Sequence, residues 1–144
     1  MKIREVMITA LVTVTPDTVV ADVRRLMDRE RIRHVLVMDG PALAGIVTDR
    51  DIRLNLPSPA TTLSVWEMNA LLAKQRVDEI MTTSVITIGP DREVYEAAQL
   101  MIDHKFGALP VTDERQVVGI VTETDLLRAL GLLRDLHGAR GMQR

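Results

Sequence analysis

The 144-residue sequence predicts an α/β fold of the α+β type, in which two tandem β-α-β-β-α repeats are related by pseudo-twofold symmetry and joined by a connecting helix. The first observation is an internal repeat: residues 6–54 align without a gap on residues 80–128, with 15 of 49 positions identical. The second is that β-branched runs and helical periodicity alternate in the same order in both copies. Two copies are too few for an open solenoid, so a closed pair is expected.

Each copy begins with a short β-branched run that predicts a brief strand, LVTV at 11–14 and VITI at 85–88. A Pro-Asp turn follows, and apolar residues at helical spacing then predict a helix. These apolar residues are Val20, Val23 and Met27 in the first copy, and Val94, Ala97 and Met101 in the second. Four further runs predict two hairpins: HVLVMD (34–39) with LAGIVT (43–48), and ALPVTD (108–113) with VVGIVT (117–122). A second helix follows each hairpin.

The segment between the copies predicts a helix of its own. Pro57 and Pro59 end the preceding helix, and Ser64 precedes Glu67 by the three residues of a capping box. The predicted organisation is a first repeat at 1–57, a connecting helix at 58–77, a second repeat at 78–133 and a C-terminal tail at 134–144.

Composition narrows the classes of function. The apolar share of 47% and the charged share of 26% are those of a soluble globular protein, and no apolar run is long enough for a bilayer. A net charge of −2 with 2% aromatics argues against nucleic acid as a partner. The absence of cysteine suits a cytoplasmic location. Three scattered histidines predict no metal site, and no catalytic constellation is found, so an enzyme is not expected.

The chemically suggestive motif occurs twice, as GIVTDRD at 45–51 and GIVTETD at 119–125. A Thr followed three residues later by an acid at a strand-to-helix junction is a variant of the capping box. The same carboxylate can also accept two hydrogen bonds from a ribose 2′,3′-diol, which is a charge-assisted interaction. The two interpretations are compatible, and spacing alone leaves both open.

The sequence resembles the tandem CBS domain, named after cystathionine β-synthase, from Val6 to Leu130. The matching features are Met81-Thr82, the T-x-x-P-D turn in both copies, and the hairpin ending in G-h-h-T-x-x-D, where h is apolar. The linker is similar to that of stand-alone bacterial CBS pairs of the acetoin-utilisation type. The resemblance implies a non-catalytic regulatory module, often a homodimer through its helices, that binds AMP, ADP or ATP in clefts between the repeats without a required cofactor. S-adenosylmethionine is a second possible ligand, and a dimerisation scaffold with no nucleotide is the alternative.

The resemblance also implies site residues. The ribose ligands are Thr48, Asp51, Thr122 and Asp125. The backbone contacts to adenine fall on Thr9, Ala10, Leu11 and Val12, and on Thr83, Ser84, Val85 and Ile86. The candidates for the phosphate end or the cleft wall are Arg33, His34, Arg50, Gly107, Ala108, Leu109 and Pro110. The apolar run DLLRALGLL at 125–133 predicts a self-association face.

Overall fold

The computed structural model describes residues 1–56 and 64–142, without the side chains of residues 72, 133 and 135–142. The predicted helix stop at Pro57 and Pro59 lies outside these residues. The chain forms two compact units. The first unit is Val12–Val85, and the second unit combines Met1–Leu11 with Ile86–Arg144. Each unit therefore contains most of one repeat together with the first residues of the other repeat.

The first unit has a three-stranded sheet in the order β1–β2–β3. Strand β1 (Thr13–Val14) pairs parallel with β2 (His34–Asp39), which pairs antiparallel with β3 (Ala42–Thr48). Helix α1 (Val20–Glu30) precedes β2, and helix α2 (Asp49–Leu54) follows β3 directly. The predicted strands and first helix are confirmed, and β2 has the predicted bounds.

The second unit repeats this plan with α4 (Val94–His104), β4 (Ala108–Asp113), β5 (Gln116–Thr122) and α5 (Glu123–Met142). The predicted strand at 85–88 is reduced to a single bridge between Ile88 and Val111. The reason is Pro110. In the first unit the Leu36 N–H donates to the Val12 carbonyl at 3.4 Å, and Pro110, which is equivalent to Leu36, has no N–H to donate.

The predicted apolar faces of the helices form the two cores. Val20, Val23 and Met27 of α1 are buried against Val35 and Val47 of the sheet. In the second unit, the corresponding core residues are Ala97, Met101, Leu109, Val121 and Ile3. Burial of a side chain of the Val or Leu class contributes about 1.5–3 kcal/mol, so these faces account for much of the stability of each unit.

The first residues of each repeat, here called its leading segment (residues 1–11 and 77–85), pack on a strand of the other repeat. In the second unit, Ile8 and Ile120 exchange two backbone hydrogen bonds of 2.8 and 2.9 Å. In the first unit, Thr82 and Ile46 do the same at 2.9 and 3.0 Å. Short 3₁₀ turns at Ile3–Glu5 and Val77–Glu79 begin these segments, and their first residues are fully buried. Local sequence patterns do not predict this exchange.

Between the repeats, helix α3 (Val65–Lys74) begins at the predicted cap, with the Glu67 N–H donating to Ser64 Oγ at 3.2 Å. Helix α5 continues to Met142 and so enters the stretch that the sequence assigned to a tail. No proline interrupts it after Glu123, and Gly131 is tolerated within a helix at a modest cost. None of the helices in the described residues is both long and apolar enough to cross a bilayer.

The amino terminus is held on the second unit by opposite charges. Glu93 accepts from the Met1 amino group at 3.2 Å, and its other oxygen lies 2.7 Å from Lys2 Nζ. The hydrogen bond from Lys2, followed by that from the terminal amine, lowers the pKa of Glu93 below its ordinary value of 4.5.

We expect the stabilisation from Glu93 to be fully present above its ordinary pKa and to be lost as the pH falls through the lower pKa of the folded state. The reason is that a protonated carboxyl no longer attracts the two cations. Urea unfolding across the acid range should therefore show a shallower loss of stability for Glu93→Gln than for the wild type. Identical acid slopes for the two proteins would contradict the expectation.

Candidate functional site

The Thr48–Asp51 pair closes the junction between β3 and α2 of the first unit. The Thr48 N–H donates to Asp51 Oδ2 at 2.9 Å, and the Asp51 N–H donates to Thr48 Oγ1 at 3.1 Å. This reciprocal arrangement is a capping box, which is one of the two roles that the sequence predicted for the Thr–Asp pair. In the described part of the chain, Asp51 Oδ1 has no hydrogen-bond partner. The carboxylate is half-buried, and this oxygen is not used by the helix cap.

The Thr122–Asp125 pair is built in the same way and is more deeply buried. Asp125 Oδ2 accepts from the Thr122 N–H at 2.8 Å and from the Thr122 hydroxyl at 2.9 Å. The Asp125 residue is 4% exposed, and its Oδ1 lies 3.8 Å from the Arg128 guanidinium. This carboxylate therefore accepts two hydrogen bonds from its threonine where Asp51 accepts one, and its second oxygen faces a cation.

Each candidate adenine segment lies near the Thr–Asp pair of the other repeat. Thr83 follows Thr82, which pairs with Ile46, and Ile46 precedes Thr48 by two residues. Thr9 likewise follows Ile8, whose partner Ile120 precedes Thr122 by two residues. The segment of the second repeat thus accompanies Asp51, and the segment of the first repeat accompanies Asp125. Thr9, Ala10, Thr83 and Ser84 are exposed, whereas Leu11 and Val85 are half-buried.

The remaining two residues of these segments belong to the sheets. Val12 accepts from the Leu36 N–H and lies in the first unit. Ile86 lies in the second unit and packs against its core. Thr83, Ser84 and Val85 therefore follow a bridge in the unit of Asp51, and Thr9, Ala10 and Leu11 follow a bridge in the unit of Asp125. Val12 and Ile86 each belong to the other unit.

Two candidate cleft residues are direct neighbours of the threonines. His34 pairs with Thr48 across β2 and β3, and Ala108 pairs with Thr122 across β4 and β5. The residues before them are tied to the helices: the Asp49 N–H donates to the Arg33 carbonyl, and the Glu123 N–H donates to the Gly107 carbonyl, both at 3.0 Å. The backbone at 33–34 and at 107–108 therefore borders the two Thr–Asp pairs.

The other candidates are distributed differently. Arg50 is exposed on α2, next to Asp51 in sequence. Leu109 and Pro110 are fully buried in β4, and Leu109 belongs to the core. They therefore have no exposed side-chain surface to offer a ligand. The Arg33 side chain lines a separate cavity between α1 and α2, with Asp49, Ile52 and Arg53. Asp51 points roughly 150° away from that face of α2, since successive helical residues turn by about 100°.

Sequence reasoning missed why each motif begins with glycine. A Cβ on Gly45 would lie 2.7 Å from the Thr82 carbonyl oxygen and 2.8 Å from Met81 Sδ. A Cβ on Gly119 would lie 2.8 Å from Met7 Sδ and 3.0 Å from the Ile8 carbonyl oxygen. The glycines let each leading segment approach the strand closely. The Gly and Met in each copy were visible, but their contact depends on the exchange of segments.

The fold and the doubled Thr–Asp box define a chain made of two CBS domains. The CBS domain family matches residues 3–58 and 77–132, and the chain belongs to this family. Among the described residues, no group of three acidic or histidine side chains is arranged to hold a metal ion.

The chain is similar to solved structures of other CBS pairs. It is 28% identical to a protein from Vibrio cholerae described as the acetoin utilization protein AcuB, with 96% of both chains covered and a TM-score of 0.78. It is 28% identical to CBSX2 in complex with AMP, covering 90% of this chain and 95% of that one at a TM-score of 0.74. The CBS pair of MJ0100, in complex with 5′-methylthioadenosine and S-adenosyl-L-methionine, is 27% identical, with 91% and 96% covered and a TM-score of 0.73.

Proposed function

We propose that this chain is a non-catalytic regulatory module that binds an adenosine-containing ligand beside Asp51 and beside Asp125. The observation that carries the proposal is the same in each unit. A carboxylate is held by its Oδ2 in a capping box, and the threonine of that box lies two residues beyond a strand bridge whose partner leads into an exposed segment. The Oδ1 atom of Asp51 suits a ribose hydroxyl, whereas Oδ1 of Asp125 would be shared between the ribose and Arg128, which lies 3.8 Å away. In each unit the exposed segment offers peptide groups to a base.

The similar CBS pairs support an adenosine ligand and leave its phosphate content open. CBSX2 is in complex with AMP, whereas MJ0100 holds S-adenosyl-L-methionine and its methylthio relative. Arg50 is exposed next to Asp51, and the equivalent residue beside Asp125 is Thr124. We therefore expect the first site to prefer AMP, ADP or ATP, because a guanidinium can fork onto phosphate oxygens. The second site has no arginine at this position, so we expect it to discriminate less against the cationic S-adenosylmethionine.

Thermal melting across AMP, ADP, ATP and S-adenosylmethionine tests the proposal. A ligand that binds only the folded state should add about 2.7 kcal/mol at 100 times its dissociation constant, and so should raise the melting temperature. Guanosine nucleotides at the same concentration control for phosphate binding alone. Equal melting temperatures across the adenosine panel would contradict the proposal.

A second candidate, a dimerisation scaffold without nucleotide, is favoured by the exposed apolar face of the second unit. Tyr95 and Ile102 of α4 and Leu127 and Leu130 of α5 are each more than 60% exposed. Such a face suits a second copy of the chain. The two roles are compatible if the ligand binds one oligomeric arrangement more tightly than another. Sedimentation with and without AMP would then show a ligand-dependent shift, which a pure scaffold would not show.

A further inference from the structure

The first unit contains a cavity that is separate from its Thr48–Asp51 pair. The cavity has a volume of about 500 Å³ and lies between the carboxyl-terminal end of α1 and helix α2. Its floor is apolar, with Met27, Ile32 and Ile52. Volumes of this order are typical of sites for small molecules.

Arginines dominate the polar wall of this cavity. Its charged lining residues are Arg24, Arg31, Arg33, Arg53, Asp28 and Asp49. Arg53 lies 3.7 Å from Asp49, so part of its charge is matched. Within residues 1–56 and 64–142, the structure shows no ion pair or hydrogen bond for the guanidinium groups of Arg24, Arg31 and Arg33. Three guanidinium groups therefore surround the cavity with only Asp28 left to offset them.

The second repeat shows that the fold does not need these arginines. The positions equivalent to Arg24, Arg33 and Arg53 are Ala98, Gly107 and Leu127. Helix α4 has the same length as α1 and is also followed by a residue in the left-handed conformation, Lys105 with φ of 57°. The same architecture thus forms without the arginine cluster, so folding does not require it.

We propose that this arginine cavity binds a small phosphate-bearing anion with two or more negative charges. The planar guanidinium group can donate two parallel hydrogen bonds to phosphate oxygens. The positive charge of several guanidinium groups around one cavity is more than a single negative charge would neutralise. The apolar floor accommodates the carbon part of such a molecule. The site lies on the face of α2 opposite Asp51, and it goes beyond the proposed adenosine function.

The test is titration calorimetry with tripolyphosphate at low salt on the whole chain. The variant is Arg24→Ala with Arg31→Gly. The first change copies the second repeat. The second places glycine at a left-handed position with φ of 54°, where glycine is well tolerated. Each lost fork should weaken binding roughly tenfold, giving roughly a hundredfold loss for the pair. Added salt should weaken the wild-type interaction and the residual interaction of the variant.

Two further variants make the result decisive. Arg25→Ala removes a neighbouring charge that is paired with Asp22 and does not line the cavity, and it should leave tripolyphosphate affinity unchanged. Asp51→Ala should also leave this affinity unchanged, so that failure of the adenosine proposal is distinguishable from failure of this one. Absence of tripolyphosphate binding, or equal affinity in the double variant and the wild type, would overturn the proposal. A double variant that changes only the sedimentation coefficient would show subunit contacts instead and would also overturn it.

Discussion

Asp125→Ala and Asp51→Ala are each expected to weaken one adenosine site, and the double variant is expected to weaken both. The lost interaction is a hydrogen bond from a ribose hydroxyl to a carboxylate, which contributes about 1.5–3 kcal/mol, so the affinity of the altered site should fall by a factor of roughly ten to one hundred. Titration calorimetry measures the affinity of each site. In each single variant, one of the two sites should keep the wild-type affinity.

The same substitutions should differ in their effect on folding. Asp125 is buried and accepts from both the Thr122 N–H and the Thr122 hydroxyl, so Asp125→Ala leaves buried donors unpaired. That loss costs about 1–3 kcal/mol. Asp51 is half-buried and makes a single cap bond through its carboxylate, so Asp51→Ala should cost about 1 kcal/mol. The fold should therefore stay nearly intact in Asp51→Ala and should be destabilised more in Asp125→Ala.

Ser64→Ala is the matched control, because it removes a helix cap on α3 that lies outside both sites. We expect it to lower the melting temperature slightly and to leave adenosine affinity unchanged. If Asp51→Ala and Asp125→Ala also leave affinity unchanged, the carboxylates are helix caps only and the scaffold interpretation stands.

Gly45→Ala is expected to destabilise the first unit by about 1–3 kcal/mol, because the new Cβ would lie 2.7 Å from the Thr82 carbonyl oxygen. Backbone on the leading segment must move to relieve this overlap. Urea unfolding measures the loss. The move also displaces Thr83 and Ser84, so adenosine affinity at the Asp51 site should fall with stability.

The equivalent change in the second unit should be easier to relieve. At Gly119 the nearest atom is the sulfur of Met7 at 2.8 Å, and the Ile8 carbonyl oxygen is at 3.0 Å. A Met7→Ala substitution should therefore recover part of the stability lost in Gly119→Ala, whereas Met81→Ala should recover little in Gly45→Ala. Gly131→Ala is the control, since nothing lies within 4 Å of its new Cβ, and it should stabilise α5 by about 0.5–1 kcal/mol. Destabilisation by Gly131→Ala similar to that by Gly45→Ala would contradict this explanation.

The elements were predictable because their signals are local. The runs at 34–39 and 108–113 are short, mostly apolar stretches that are buried over several consecutive residues, as a strand inside a core requires, and the hairpins form with the predicted partners. The helix caps at Ser64, Thr48 and Thr122 were also visible, since a cap depends on residues three positions apart. The weak pairing at 85–88 was missed because it depends on Pro110, more than twenty residues away.

The candidate site was predictable only in part. The capping hydrogen bonds of the Thr–Asp pairs were predicted, but which segment lies beside which carboxylate was not, and the side chains of the predicted Leu109 and Pro110 are buried. The binding roles of all these residues stay predictions. Burial depends on what packs over a strand, and the exchange depends on bridges such as Ile8–Ile120 that join residues over 100 positions apart.

The sequence by itself determined the duplication, the order of the elements and the two capped carboxylates, because each follows from residues close together along the chain. Only the tertiary structure decided which backbone lies beside Asp51 and Asp125, why Gly45 and Gly119 must be glycine, and that Arg24, Arg31 and Arg33 share one cavity. The physical reason is that these are contacts between distant segments, and packing selects them through close approach and burial that local periodicity does not encode.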